Sequence, residues 1–98
     1  MPTESVTTET ILRLSEKVSL QPLGEGEGGV ILRLDTGELY TVNDTALSFV
    51  GALDGTRTFA GSVRIVAEEY EVELDELTRD LTEIAEDLLS SKLVEQVG

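Results

Sequence analysis

Carboxylates are the reactive side chains that this sequence supplies in number and at close spacing, so they are the first candidates for chemistry. Asp80 with Glu83, and Glu83 with Asp87, would share one face of a helix. Two neighbouring carboxylates are an arrangement that general acid and base catalysis can use. Such catalysis also needs an apolar pocket around the pair, and the sequence offers none. We therefore interpret these residues as the charged outer face of a helix.

A second acidic stretch, between residues 68 and 76, raises the question of a hard-cation site. Its carboxylates lack the alternating Asp/Asn pattern and the central glycine of a calcium-binding loop, so we interpret it as a solvated surface. The chain contains neither histidine nor cysteine. This excludes metal sites built from imidazole or thiolate ligands and nucleophiles activated by histidine. We expect no metal, no cofactor and no enzymatic activity.

The charge of the chain narrows the choice of partners. Its 98 residues suit a single domain, in which 7 Lys and Arg stand against 20 Asp and Glu, a formal net charge of −13. Such a surface repels nucleic acid and anionic membranes, so we expect neither as a partner. The first residues lack the basic and apolar regions of a signal peptide, and no apolar run is long enough to span a membrane. A cytoplasmic location is the expectation.

The elements that must position any site begin with a predicted three-stranded antiparallel meander. Residues 1–12 are polar and are expected to form a flexible tail, which leaves residues 13–98 as the domain. Alternating apolar residues predict a first strand from Val18 and a second from Val30, joined by the loop GEGEGG at 24–29. A turn at 35–37 precedes a third strand, Leu39 to Val42.

Three helices are predicted to follow, which makes the fold class α+β. Asn43 and Asp44 are suited to cap the first helix, and Thr58 the second. The third has the clearest helical periodicity, with Leu and Ile at positions 74, 77, 81, 84 and 88. The third strand is then left with a free edge beside an apolar helix, a groove suited to an extended peptide. Tyr40 and Val42 are also well explained as core residues, in which case the strand backbone would supply most of the binding.

Four short stretches, taken in order, resemble the family of coenzyme PQQ synthesis protein D (PqqD), whose domain is also called the RiPP recognition element. They are "RLSEKVSL" at 13–20, "LDTGELYTVNDTA" at 34–46, "LDGTRT" at 53–58 and "EEYEVELDELTRDL" at 68–81. The resemblance runs from Arg13 to Val94. It differs from PQQ-pathway members at "EGGVILRL", where those carry an aromatic residue after the glycine pair. "TGELYTVNDTA" is nearer to members from lasso-peptide and radical-SAM peptide clusters.

The resemblance implies a winged helix-turn-helix-like domain that binds the leader of a ribosomally synthesised precursor peptide. Such a domain presents the peptide to a modifying enzyme, for example a radical-SAM enzyme or a leader peptidase. The leader adds as an antiparallel strand to the third strand and lies against the third helix. Carried onto this chain, the peptide-binding residues are Leu39, Tyr40, Thr41, Val42 and Asn43 on the strand and Leu77, Asp80, Leu81, Ile84 and Leu88 on the helix.

Two alternative functions are compatible with the sequence. A winged-helix transcriptional regulator would match the helix-turn-helix layout, but its recognition helix would be mostly acidic. A leader-independent adaptor would use the acidic helix to dock on an enzyme. The acidic third helix also supports the hypothesis that the leader or the partner enzyme carries basic residues and that salt slows their association.

Overall fold

The computed structural model describes residues 6–97, which form three helices and five antiparallel strands. In chain order the elements are β1 (Ile11–Leu14), β2 (Val18–Pro22), β3 (Gly29–Arg33), β4 (Leu39–Val42), α1 (Asp44–Ala52), α2 (Phe59–Tyr70), α3 (Leu74–Ser90) and β5 (Val94–Val97). The predicted α+β class, the three-stranded antiparallel sheet and the three helices are confirmed.

The three-stranded sheet has the order β2-β3-β4, so β4 is an edge strand. Ile31 of β3 lies opposite Leu20 of β2 and Tyr40 of β4. The β2–β3 loop folds back against the end of β4, where the Gly28 N–H donates to the Asp44 carboxylate at 2.7 Å. Gly28 has a φ of +67°, and a Cβ there would come within 2.1 Å of the Val42 carbonyl oxygen. Only glycine fits this position, which joins the hairpin to the start of α1.

The predicted N-caps of the first two helices are confirmed. The Asn43 side chain accepts a hydrogen bond from the Ala46 N–H, and the Thr58 hydroxyl accepts one from the Gly61 N–H. Between these helices, the Asp54 carboxylate accepts hydrogen bonds from the backbone N–H groups of Thr56 and Arg57, at 2.9 and 2.8 Å. These bonds to the charged form lower the pKa of Asp54 to about 2.

The core lies between the sheet and the three helices. Phe49 of α1 and Phe59 of α2 meet edge to face, with ring centroids 5.7 Å apart. Leu77, Leu81 and Leu88 of α3 are buried in the same core. The side chains of Tyr40 and Val42 are partly buried and pack against it from β4. The core therefore fixes β4 and α3 relative to each other.

The prediction that the flexible tail reaches residue 12 is wrong for residues 10–12. Ile11 and Leu12 belong to β1, which pairs antiparallel with β5, and Leu12 is fully buried in the core. Thr10 is buried as well. The domain therefore starts before residue 13, and the sheet and helices are flanked by two strands that the sequence prediction missed. Residues 1–5 of the predicted tail, and residue 98, lie outside the described residues.

Candidate functional site

The outer edge of β4 presents unpaired backbone groups along a short strand. The Arg33 N–H donates to the Glu38 carbonyl at 2.8 Å, which marks these opposite residues as a hydrogen-bonded pair of the β3–β4 ladder. Because such pairs alternate along an antiparallel ladder, Tyr40 and Val42 also bond to β3. The N–H and C=O groups of Leu39 and Thr41 therefore point away from the sheet. They can pair with one further strand.

A groove of about 320 Å³ lies between this edge and α3. Its lining is mainly apolar on the helix side, with Ile84 and Leu88, and includes Leu93 beyond the helix. Asp87 supplies a carboxylate within the same groove. The complete lining is Tyr40, Thr41, Val42, Asn43, Ala46, Ile84, Asp87, Leu88, Ser91 and Leu93. The groove thus combines a backbone edge with an apolar wall, as extended-peptide sites do.

Arg33 bonds to two of the residues that line this groove, Tyr40 and Ser91. Its guanidinium donates to the Tyr40 hydroxyl at 3.4 Å and to the carbonyl of Ser91. The guanidinium carbon also lies 5.7 Å from the centre of the Tyr40 ring. The hydrogen bond to Tyr40 raises the pKa of Arg33, so its charge is permanent. Arg33 therefore ties β4 to the end of α3 and helps to set the width of the groove.

A second cavity, of about 430 Å³, follows the groove toward the beginning of α3. It is lined by Thr45, Val72, Glu73, Glu76, Leu77 and Asp80. A hydrogen bond connects the linings of the two cavities, because the Thr45 hydroxyl of the second donates to the Asn43 side chain of the first at 3.0 Å. On α3, Asp80 precedes Ile84 by one helical turn. The two cavities therefore follow one another along one side of α3, and together they are called the path.

The structure brings together six of the ten residues predicted to bind peptide. Tyr40, Thr41, Val42, Asn43, Ile84 and Leu88 all line the groove. Leu77 and Asp80 line the second cavity instead. Leu39 lines neither, although it lies on the free edge and its side chain is 63% exposed. Leu81 has no exposed surface, so it supports the groove from within the core.

Four groove residues were missed by the sequence prediction: Ala46, Asp87, Ser91 and Leu93. Asp87 lies three positions after Ile84, so the spacing along the helix could have identified it. Ser91 and Leu93 follow the end of α3, and Ala46 belongs to α1. These residues join the groove through the tertiary packing of α1 and β5, for which the sequence has no local pattern.

The chemistry that this arrangement supports is binding. Within residues 6–97, no group of three or more Asp and Glu side chains is placed to hold a metal ion. No helix in that range is long and apolar enough to cross a membrane. What the site offers is an unpaired strand edge, an apolar wall and a rim of carboxylates.

A protein-family model matches most of the chain. The model of coenzyme PQQ synthesis protein D (PqqD) matches residues 28–94, which include β4, α3 and both cavities. No curated protein matches the chain in sequence.

Three solved structures share the fold. TbiB1, in complex with the TbiA(beta) leader peptide, has a TM-score of 0.68 and 22% identity, with 85% of this chain and 94% of TbiB1 covered. A lasso peptide synthetase B1, complexed with the leader peptide, has a TM-score of 0.69 and 27% identity, covering 86% of this chain and 96% of the synthetase chain. The PqqD truncation of Methylobacterium extorquens PqqCD, a stand-alone RiPP recognition element solved by NMR, has a TM-score of 0.76 and 18% identity, covering 93% of this chain and 95% of the truncation.

Proposed function

The chain belongs to the family of coenzyme PQQ synthesis protein D, and we propose that it binds the leader of a ribosomally synthesised precursor peptide by strand addition. The bound peptide is then presented to a modifying enzyme, such as a radical-SAM enzyme or a leader peptidase. TbiB1 and the lasso peptide synthetase B1, which share the fold, are both complexed with leader peptides. In this proposal the domain is a winged helix-turn-helix-like binding module that acts in the cytoplasm and catalyses no step itself.

The observation that carries the proposal is the free edge of β4 beside an apolar groove. A leader strand pairing with Leu39 and Thr41 would satisfy the outward backbone groups of both residues. Every second side chain of that leader would then face the groove wall formed by Ile84 and Leu88. Hydrogen bonds between the two backbones would supply most of the affinity, and side-chain contacts in the groove would determine which peptide sequences bind. Ordering a flexible leader opposes binding, so we expect dissociation constants of about micromolar.

Within this proposal, the binding residues are Leu39, Tyr40, Thr41, Val42, Asn43, Ile84 and Leu88, with Leu77 and Asp80 contacting a peptide that extends into the second cavity. Leu81 is left out, because its side chain is fully buried.

The test removes one outward hydrogen-bond donor without disturbing the sheet. In Thr41→Pro the backbone N–H that points away from β3 is lost, and proline is tolerated at such edge positions. The matched control, Thr41→Val, keeps the N–H and the β-branched shape. We expect Thr41→Pro to weaken binding of a synthetic leader peptide about tenfold and Thr41→Val about twofold or less.

Affinity is measured by calorimetry, and binding is located by the amide NMR shifts of the labelled protein. The shifts should concentrate at residues 39–43 and 77–88, and circular dichroism should show that both variants remain folded. Equal affinity of a folded Thr41→Pro variant and the unmodified protein would contradict strand addition at β4.

A further inference from the structure

We infer that the peptide bound at the β4 edge carries lysine or arginine on the N-terminal side of its strand segment. These basic side chains would enter the second cavity, lined by Val72, Leu77 and the carboxylates of Glu73, Glu76 and Asp80. The inference rests on the proposed function and adds to it the chemistry of the bound peptide and the position of its basic residues.

The direction follows from the order of elements along the path. β4 runs from Leu39 to Val42 and leads through Asn43 directly into α1. A strand that adds antiparallel, as every strand pair in residues 6–97 does, runs the opposite way. Its N-terminal residues then lie beyond Val42, beside Thr45 and the second cavity. Its C-terminal residues leave past Leu39.

The second cavity has the composition that a long basic side chain requires. Val72 is 42% exposed, and with Leu77 it offers apolar surface for the aliphatic part of lysine or arginine. Glu73, Glu76 and Asp80 stand around this surface and would meet the charged end. Glu73 comes directly before α3, and its side chain makes no capping hydrogen bond there. An aliphatic chain with a basic end therefore fits the cavity better than a fully apolar side chain.

The opposite end of the groove has a different charge. Arg33 bonds to Tyr40 there, and a neighbouring cavity contains Arg33 together with Lys17 and Lys92. These are three of the 7 basic residues of the chain, although Asp35 and Glu95 line the same cavity. Arg33 also forms an ion pair with Glu38 at 3.4 Å, so cations and carboxylates are mixed at this end. The path is thus acidic where the antiparallel peptide enters and mixed in charge where it leaves.

The first experiment selects binders from a display library of random 20-residue peptides against the unmodified protein, with the Thr41→Pro variant as the parallel target. Selected peptides should contain apolar residues at alternate positions and be enriched in Lys and Arg on the N-terminal side of that segment. Enrichment on the C-terminal side, or on neither side, would overturn the inference while leaving strand addition intact. Equal recovery with Thr41→Pro, or no enriched peptide at all, would count against the proposed function and the inference together.

The second experiment removes the carboxylates of the cavity. The triple variant Glu73→Gln, Glu76→Gln and Asp80→Asn should bind a selected peptide about 3- to 10-fold more weakly in low salt, the effect of a few exposed ion pairs. The matched control, Glu9→Gln, Glu16→Gln and Glu68→Gln, removes the same charge from exposed positions outside this cavity and should change affinity less than about twofold.

A third measurement changes the peptide, and its first step uses the unmodified protein, so that step does not depend on the folding of any variant. Replacing the N-terminal Lys and Arg of the selected peptide with Gln should lower affinity as much as the triple variant does. The substituted peptide should bind the triple variant no more weakly than it binds the unmodified protein, because each change already removes the same ion pairs. Fully additive losses, or equal losses in the two triple variants, would show that the basic residues do not bind in this cavity.

Discussion

At the scale of single residues, two apolar side chains one turn apart on α3 have different roles, one in peptide binding and one in stability. Ile84 is partly buried and lines the groove, whereas Leu81, one turn earlier on the helix, is fully buried. The helical periodicity identified both as apolar positions. It could not separate them, because residues at the edge of an apolar stripe and at its centre follow the same spacing. Which of the two meets a peptide is decided by where β4 packs.

We therefore expect truncation of Leu81 to affect mainly stability and truncation of Ile84 to affect mainly peptide binding. Leu81→Ala should lower the free energy of unfolding by about 2 to 5 kcal/mol, because it opens a cavity in the core. Ile84→Ala should cost less stability but weaken peptide binding about tenfold, because an apolar contact in the groove is lost. Urea unfolding and calorimetry measure the two quantities. Unchanged affinity in Ile84→Ala would show that the peptide does not use this wall.

At the scale of elements, local patterns predicted the parts of the fold that depend on neighbouring residues. The meander, the caps at Asn43 and Thr58, and α3 are all encoded within short windows of sequence. β1 and β5 were missed because each has four residues and pairs with a strand about 80 positions away. An isolated pair such as Ile11 and Leu12 has too little apolar periodicity to predict a strand. Only the three-dimensional structure, in which β1 pairs with β5, shows that Leu12 is in the core.

The contribution of β1 to stability can be tested at its central buried residue. Leu12→Ala should lower the free energy of unfolding by about 2 to 5 kcal/mol, since Leu12 has no exposed surface. The control is Leu23→Ala in the β2–β3 loop, where the side chain is 54% exposed and the expected change is within about 0.5 kcal/mol. Equal changes in the two variants, measured by urea unfolding, would mean that β1 is not part of the cooperative domain.

At the scale of the whole molecule, the excess of carboxylates acts on stability as well as on binding. A net charge of −13 on a chain of 98 residues places like charges close together in the folded state. Their mutual repulsion opposes the compact form, and dissolved ions screen it. The sequence alone predicts this property, because it depends on composition rather than on the fold. The distribution of the charges, acidic along one end of the groove path and mixed at the other, required the structure.

We expect the unfolding temperature to rise when NaCl is raised from about 0.01 M to about 0.5 M. A gain of about 1 kcal/mol corresponds to about 4 to 8 °C for a domain of this size. The variant Glu9→Gln, Glu16→Gln and Glu68→Gln should show a smaller rise, because it carries less charge. The measurement is thermal unfolding followed by circular dichroism. A salt-independent unfolding temperature would mean that repulsion between carboxylates does not limit stability.

The pairing of β1 with β5 has a geometric consequence for anything attached to this domain. Ile11 lies opposite Val97, so the start of β1 and the end of β5 lie side by side. A segment that leads into β1 and one that follows β5 would therefore join the strand pair at the same end. The domain extends 38 Å in its longest dimension, which bounds the distance from that end of the strand pair to the peptide groove. The length and stiffness of the connecting segment, rather than the order of the two proteins in a fusion, would decide whether an attached enzyme reaches a bound peptide.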